Sequence, residues 1–188
     1  MKVCIIYGSE SGNSERAIRA IAKRWQGSNF EIGEVIEGAT AAVRGISALA
    51  EQYDFLLVAT SSNGEGDPPF NFHPFLKALY AADDAGDKPL TGCGFAVLGF
   101  GCSHFDTFQN CPRIADKLMG ELGGIRAVQR EECEAARKSI SRRWVTVIAT
   151  CGVTCGDGVA WRWSLTARPS EHGRIVAVQP AHWSIYTG

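Results

Sequence analysis

A five-stranded parallel α/β sheet covered by helices on both faces is the fold this sequence predicts, and two observations predict it. Three short, almost purely apolar runs, at residues 3–7, 55–60 and 94–99, have the composition of strands buried on both faces. Between them lie stretches with apolar residues at helical spacing, joined by short links. Right-handed crossovers leave such a chain little alternative to a three-layer arrangement. In such sheets ligands gather at the carboxyl ends of the strands, near the point where strand order reverses.

The elements follow in order. The run Val3-Cys4-Ile5-Ile6-Tyr7 ends at Gly8 and a small polar loop. Ala17, Ile18, Ile21, Ala22 and Trp25 then recur at helical spacing with charges between them. Residues 30–36 read as a second strand, and 41–49 as a weaker helix with Gly45 inside it. The strand at 55–60 runs into Ser61-Ser62-Asn63-Gly64-Glu65-Gly66-Asp67-Pro68-Pro69, a loop by composition. Phe72, Phe75, Leu76, Leu79 and Tyr80 mark one face of a helix that tolerates Pro74 in its first turn. After the strand at 94–99 and another loop, Ile114, Ala115, Leu118, Met119 and Leu122 form a helix that Gly123-Gly124 stops. A short strand is expected at 125–128, and Ala136, Ile140 and Trp144 suggest a last helix. Beyond Trp144 the pattern changes to strand-like runs at 145–150, 159–167 and 174–178 with no helix between them. The expected division is therefore a domain over 1–146 and an extension over 147–188. That extension reads as a linker, the start of a truncated reductase, or a tail in an altered frame.

Hydrophobic residues at 45% and charged residues at 21% are the balance of an ordinary globular domain. A net charge of -1 supplies no basic field for nucleic acid or anionic membrane. No apolar run approaches the length of a membrane span. Met1-Lys2 leads straight into a strand, so no signal peptide is expected. Seven cysteines at irregular spacing then point to free thiols in a reducing, cytoplasmic setting.

The first polar loop carries the chemistry. A helix N-terminus offers free backbone N–H groups and a positive dipole end, which suits a phosphate. Gly8 and Gly12 allow close backbone approach, while Ser9, Ser11, Asn13 and Ser14 add donors. The loop has no Lys or Arg, unlike a nucleotide triphosphatase loop, and lacks the G-x-G-x-x-G spacing of a dinucleotide site. Such a phosphate is bound rather than transferred. Taken alone, the same residues also fit a polar helix cap.

Tyr7-Gly8-Ser9-Glu10-Ser11-Gly12-Asn13-Ser14-Glu15 resembles the phosphate loop of flavodoxins and of the FMN modules of diflavin reductases. The second loop, from Ala59 to Pro69, and Leu98-Gly99-Phe100-Gly101-Cys102-Ser103-His104-Phe105-Asp106-Thr107-Phe108 resemble that family's other two loops. The resemblance covers roughly residues 1–146 and implies a flavodoxin-like three-layer sandwich that binds FMN. By it, Ser9, Glu10, Ser11, Gly12, Asn13 and Ser14 hold the phosphate. Thr60, Ser61, Asn63 and Gly64 line one side of the flavin ring. Leu98, Gly99, Gly101, Cys102 and Phe105 line the other, supported by Phe108 and Gln109. The resemblance also implies an NADPH-linked FAD reductase as electron donor and an acceptor protein of haem or iron-sulfur type. The alternatives are a stand-alone flavodoxin and a non-redox or truncated flavodoxin-like interaction domain.

Departures from the family pattern accompany the match. Ser61-Ser62-Asn63 stands where cytochrome reductases carry a flavin-covering aromatic, Cys102 replaces an Asn or Asp, and Phe105 replaces a tyrosine. Cys102 is read as an unremarkable small residue or as an oxidation-sensitive thiol. Glu131, Glu132 and Glu134 are either the family's acidic cluster or a helix start favoured by the dipole. Phe72 is expected in the core, and Phe70 is left open as a flavin cover. His73 and His104 are weak candidates for a proton donor. Cys151 and Cys155 lack a second ligand pair, so no metal site is expected. No catalytic residue set and no NADPH site is recognisable.

Overall fold

The computed structural model describes residues 1–26 and 30–134. Its elements are β1 (Lys2–Tyr7), α1 (Asn13–Trp25), β2 (Glu31–Glu37), α2 (Gly38–Arg44), α3 (Ile46–Gln52) and β3 (Phe55–Ser61), followed by α4 (His73–Asp84), β4 (Gly94–Gly101), α5 (Asn110–Glu121), β5 (Ile125–Arg126) and β6 (Glu131–Glu134). The expected last helix and the strand-like runs beyond Trp144 lie outside the described residues.

All strand pairings of the sheet are parallel, in the order β2-β1-β3-β4-β5, with β6 also on β4. Five strand positions are therefore present, and the fifth is divided. Gly94 and Phe95 of β4 face Ile125 and Arg126, whereas Leu98 to Gly101 face Glu131 to Glu134. The offset between partners grows by two residues across the break. The expected strand at 125–128 thus stops early, and the residues after it bulge before pairing resumes.

Alternation along the central strands sorts their side chains between two cores. Cys4, Ile6, Leu56, Val58, Phe95 and Val97 pack against α2, α3, α4 and α5. Val3, Ile5, Tyr7, Leu57, Ala96 and Leu98 face the other way, against Ile18, Ile21 and Trp25 of α1. The single helix expected at 41–49 is two helices, because Gly45 adopts φ 87 and breaks the helical run. On α4 the buried stripe is Phe75, Leu76 and Leu79; Tyr80, expected on that face, is 43% exposed at its margin.

The chain passes from β1 outward to β2 and then returns to β3 on the other side of β1. The reversal opens a crevice between the carboxyl ends of β1 and β3. The polar loops after β1, β3 and β4 all leave the sheet at this end.

Candidate functional site

The first loop is shaped by space. Gly8 donates its N–H to the Ala59 carbonyl at 2.8 Å, and a Cβ on Gly8 would lie 2.3 Å from Phe72 Cβ. Phe72 is fully buried, as expected of a core residue. The chain turns at Gly12, which takes the left-handed region at φ 76, and α1 begins at Asn13 without any side-chain cap. The polar-cap alternative is therefore not the one adopted. Ser14, only 1% exposed, has a hydroxyl with no hydrogen-bond partner.

The second loop closes on itself. Asn63 N–H donates to Asp67 O at 2.9 Å, and Asp67 N–H returns the bond at 2.8 Å. Gly64 and Gly66, at φ 48 and 98, supply the left-handed corners of this turn. The Asn63 Nδ2 group is buried and unpartnered. The Thr107 hydroxyl donates to Gly64 O at 3.1 Å, and Cys111 N–H donates to Ser62 Oγ at 2.9 Å, so the third loop and α5 hold the second.

The third loop rests on β6. Ser103 N–H donates to Glu134 Oε2 at 2.9 Å, and Gln109 Nε2 donates to Cys133 O at 3.2 Å. Hydrogen bonding from Ser103, with lesser contributions from the nearby His104 and Cys102, holds the Glu134 carboxyl below the usual carboxylate range. Cys102 Sγ lies 3.3 Å from His104 Nδ1. Glu131, Glu132 and Glu134 form an edge strand rather than a helix start. Glu132 accepts two bonds from Arg113, both 2.8 Å, and two from Arg130, and these push its carboxyl down to about 2.

The loops enclose a cavity of about 230 Å³. Ser11, Asn13 and Ser14 line it from the first loop, and Ser61, Asn63 and Gly64 from the second. Gly101, Cys102, Phe105 and Phe108 close it from the third, with Phe105 61% exposed at its mouth. Ser62, Phe100 and Thr107 also line it and were missed by sequence reasoning. Each lies beside an expected residue, so loop continuity is the signal that points to them.

The remaining expected residues stand back from the wall. Ser9 N–H is spent on Asn71 Oδ1 at 2.9 Å, and the Glu10 carboxylate accepts from Phe70 N–H at 2.7 Å, so both tie the first loop to the second. Gly12 supplies the turn itself. Thr60 is buried, its hydroxyl 3.7 Å from Cys111 Sγ. Leu98 packs into the α1 core. Gly99 leaves room for Gln109, since a Cβ there would meet Gln109 Oε1 at 1.9 Å. Gln109 is buried at φ 64, with Oε1 unpartnered. Phe70 is 86% exposed and, like His73 and His104, does not line the cavity.

These residues fit a flat aromatic ligand that carries a phosphate. Aromatic and glycine surfaces suit a ring, the uncapped start of α1 suits an anion, and the orphaned Ser14 Oγ and Asn63 Nδ2 await polar partners. Sheet order and site together define an α/β domain with a cavity suited to a nucleotide-like cofactor at its switch point. The protein-family model described as Flavodoxin matches residues 5–142, and the chain belongs to that family. Flavodoxin domains bind FMN, and this one is a flavodoxin-like FMN electron-transfer domain.

The relatives fall into two kinds. The sulfite reductase (NADPH) flavoprotein alpha-component of Bacillus subtilis is 27% identical over 154 residues, which is 77% of this chain and 22% of that protein. The bifunctional cytochrome P450/NADPH–P450 reductase of Aspergillus oryzae is 32% identical over 162 residues, 80% of this chain and 12% of that one. The chain thus spans less than a quarter of the length of either. Among solved structures, oxidised flavodoxin 1 from Bacillus cereus superposes with a TM-score of 0.62 at 27% identity, covering 79% of this chain and 92% of that one. A cysteine-to-serine mutant of flavodoxin from Pseudomonas aeruginosa gives 0.63 at 25% identity, covering 79% and 97%. No helix among the described residues is long and apolar enough to cross a membrane.

Proposed function

We propose that the three loops seat FMN with its phosphate on the first loop and its ring between the second and third. The observation that carries this reading is the convergence of the loops on one cavity whose buried Ser14 Oγ and Asn63 Nδ2 have no protein partner. Ser11, Asn13, Ser14 and the free N–H groups at the start of α1 hold the phosphate. Ser61, Asn63 and Gly64 face one side of the ring, and Gly101, Cys102, Phe105 and Phe108 the other. Ser9, Glu10, Gly12, Thr60, Leu98, Gly99 and Gln109 shape the loops from behind. When bound, FMN supplies the electron chemistry, and the chain supplies binding, orientation and electrostatics.

The donor in this reading is an NADPH-linked FAD reductase, as a fused module or a separate partner. The relatives whose names combine NADPH with a flavoprotein or a P450 support it. The acceptor is a protein that takes electrons at a haem or an iron-sulfur centre. The free thiols of Cys4, Cys93, Cys102, Cys111 and Cys133 support a cytoplasmic setting. A match that ends at residue 142 supports a domain over 1–146 with a separate extension beyond it. A stand-alone carrier is the second reading, favoured by the 92% coverage of the Bacillus cereus flavodoxin.

Titration of the purified full chain with FMN tests the seat. Bound flavin is expected to appear as a band at about 450 nm, with its fluorescence quenched. The double variant S11A/N13A is expected to weaken FMN far more than riboflavin. A chain that takes up no flavin refutes the seat, and equal weakening of both flavins refutes the phosphate assignment.

A further inference from the structure

The charges around the first loop are arranged unevenly. Its two nearest acids are both engaged elsewhere. Glu10 is drawn away by Phe70 N–H, and Glu15 is paired with Arg19 at 2.8 Å one turn along α1. Arg16 makes the opposite choice. Its side chain turns back toward the start of α1, where Nη2 donates to Asn13 Oδ1. Its Nη1 stands 3.7 Å from the position a Cβ on Gly12 would occupy. Among the described residues it has no carboxylate partner.

A cation in this position is out of place on an isolated helix. The first turn carries the positive end of the helix dipole, so an arginine folded back over it is disfavoured unless an anion is also present. A solvated arginine gains nothing by lying there beyond one exposed bond to Asn13. The neighbouring Ser14 hydroxyl, buried and unpartnered on the cavity wall, independently marks a missing polar ligand at the same turn. A guanidinium has five N–H donors, and the bond to Asn13 leaves most of them free for phosphate oxygens.

We infer that Arg16 is a binding residue for the cofactor's phosphate, adding from the first turn of α1 a counter-charge that the loop itself lacks. The inference rests on the proposed FMN seat. It also explains how a loop without Lys or Arg gains electrostatic preference: the cation lies outside the loop in sequence and returns to it through the helical turn.

The test compares the full-length wild type with Arg16→Gln and Arg16→Lys, titrating FMN and riboflavin at low and high salt. At about 20 mM salt, where an exposed charge pair is weakly screened, Arg16→Gln is expected to weaken FMN about fivefold. The loss should largely vanish at about 500 mM salt. Riboflavin binding and the thermal midpoint should not change, and Arg16→Lys should retain most of the FMN affinity. Unchanged FMN affinity in Arg16→Gln at low salt, with wild type preferring FMN to riboflavin, overturns the inference and leaves the seat standing. So does a parallel loss of both flavins. A wild type that binds neither flavin overturns the seat and this inference together, and one that binds both equally overturns the phosphate assignment and this inference.

Discussion

Replacing Glu132 by Gln removes the carboxylate that ties α5 to the sheet edge beneath the third loop. Glu132 accepts a bidentate pair from Arg113 and further bonds from Arg130, with Arg113 the largest influence on its carboxyl. A carboxyl held at about 2 in place of 4.5 would be worth roughly 3 kcal/mol at full strength. The Glu132 side chain is 27% exposed and that of Arg113 51%, so solvent screens the pair. The expected loss at neutral pH is therefore about 1–2 kcal/mol. The sign follows from proton linkage: the folded state lowers this pKa, so the contribution is complete above 4.5 and disappears as pH falls towards 2. Urea unfolding of the full chain, followed by far-UV circular dichroism across that range, measures the difference between wild type and variant. It should shrink steadily as the carboxyl protonates. A difference that stays constant from neutral pH down to about 2.5 would refute the ion-pair reasoning and point to packing instead.

Further outcomes follow from the same geometry. Gly8→Ala places a Cβ 2.3 Å from Phe72 Cβ and 2.9 Å from Thr60 Oγ1. It should cost about 1–3 kcal/mol in urea unfolding and lower FMN affinity by displacing the first loop; an unperturbed variant would show that this packing is loose. Among the five cysteines of the described residues, Cys102 should be alkylated first by iodoacetamide, located by tandem mass spectrometry, and FMN should slow its reaction. Cys4, Cys111 and Cys133 are buried, and burial pushes their thiols up to about 12, which leaves little thiolate near neutral pH. Labelling of any of these ahead of Cys102 would contradict that order.

How much the sequence disclosed depended on where an element's partners lie. β1, β3 and β4 are buried on both faces, so their apolar runs mark them without reference to neighbours. β6 is different. Two of its glutamates find partners in Arg113 and Ser103, 19 and 31 positions away, and a run of acids whose partners are distant along the chain reads locally as the start of a helix. The division of 41–49 into two helices turned on Gly45, whose presence was visible but whose left-handed φ was not. In the site, the loops and their order were legible. Which groups face the cavity was less so, because Ser9 and Glu10 are claimed by Asn71 and Phe70 on a loop some 60 positions along the chain.

That division of labour has a consequence for the cofactor. The first two loops brace each other through the Ser9 and Glu10 contacts, and both sit where β1 and β3 end side by side. The third loop leans instead on β6, through the Ser103–Glu134 and Gln109–Cys133 bonds. Between the two halves run the Thr107–Gly64, Asn110–Gly66 and Cys111–Ser62 bonds, all from the third loop or the start of α5 to the second loop. The groups assigned to the phosphate therefore belong to the half built on β1 and β3, whereas one face of the ring belongs to the half built on the sheet edge. Disturbing β6 should move the ring's wall and leave the phosphate seat in place. Disturbing Gly8 or Arg16 should do the reverse. FMN and riboflavin, which share the ring and differ by the phosphate, report on these two halves separately.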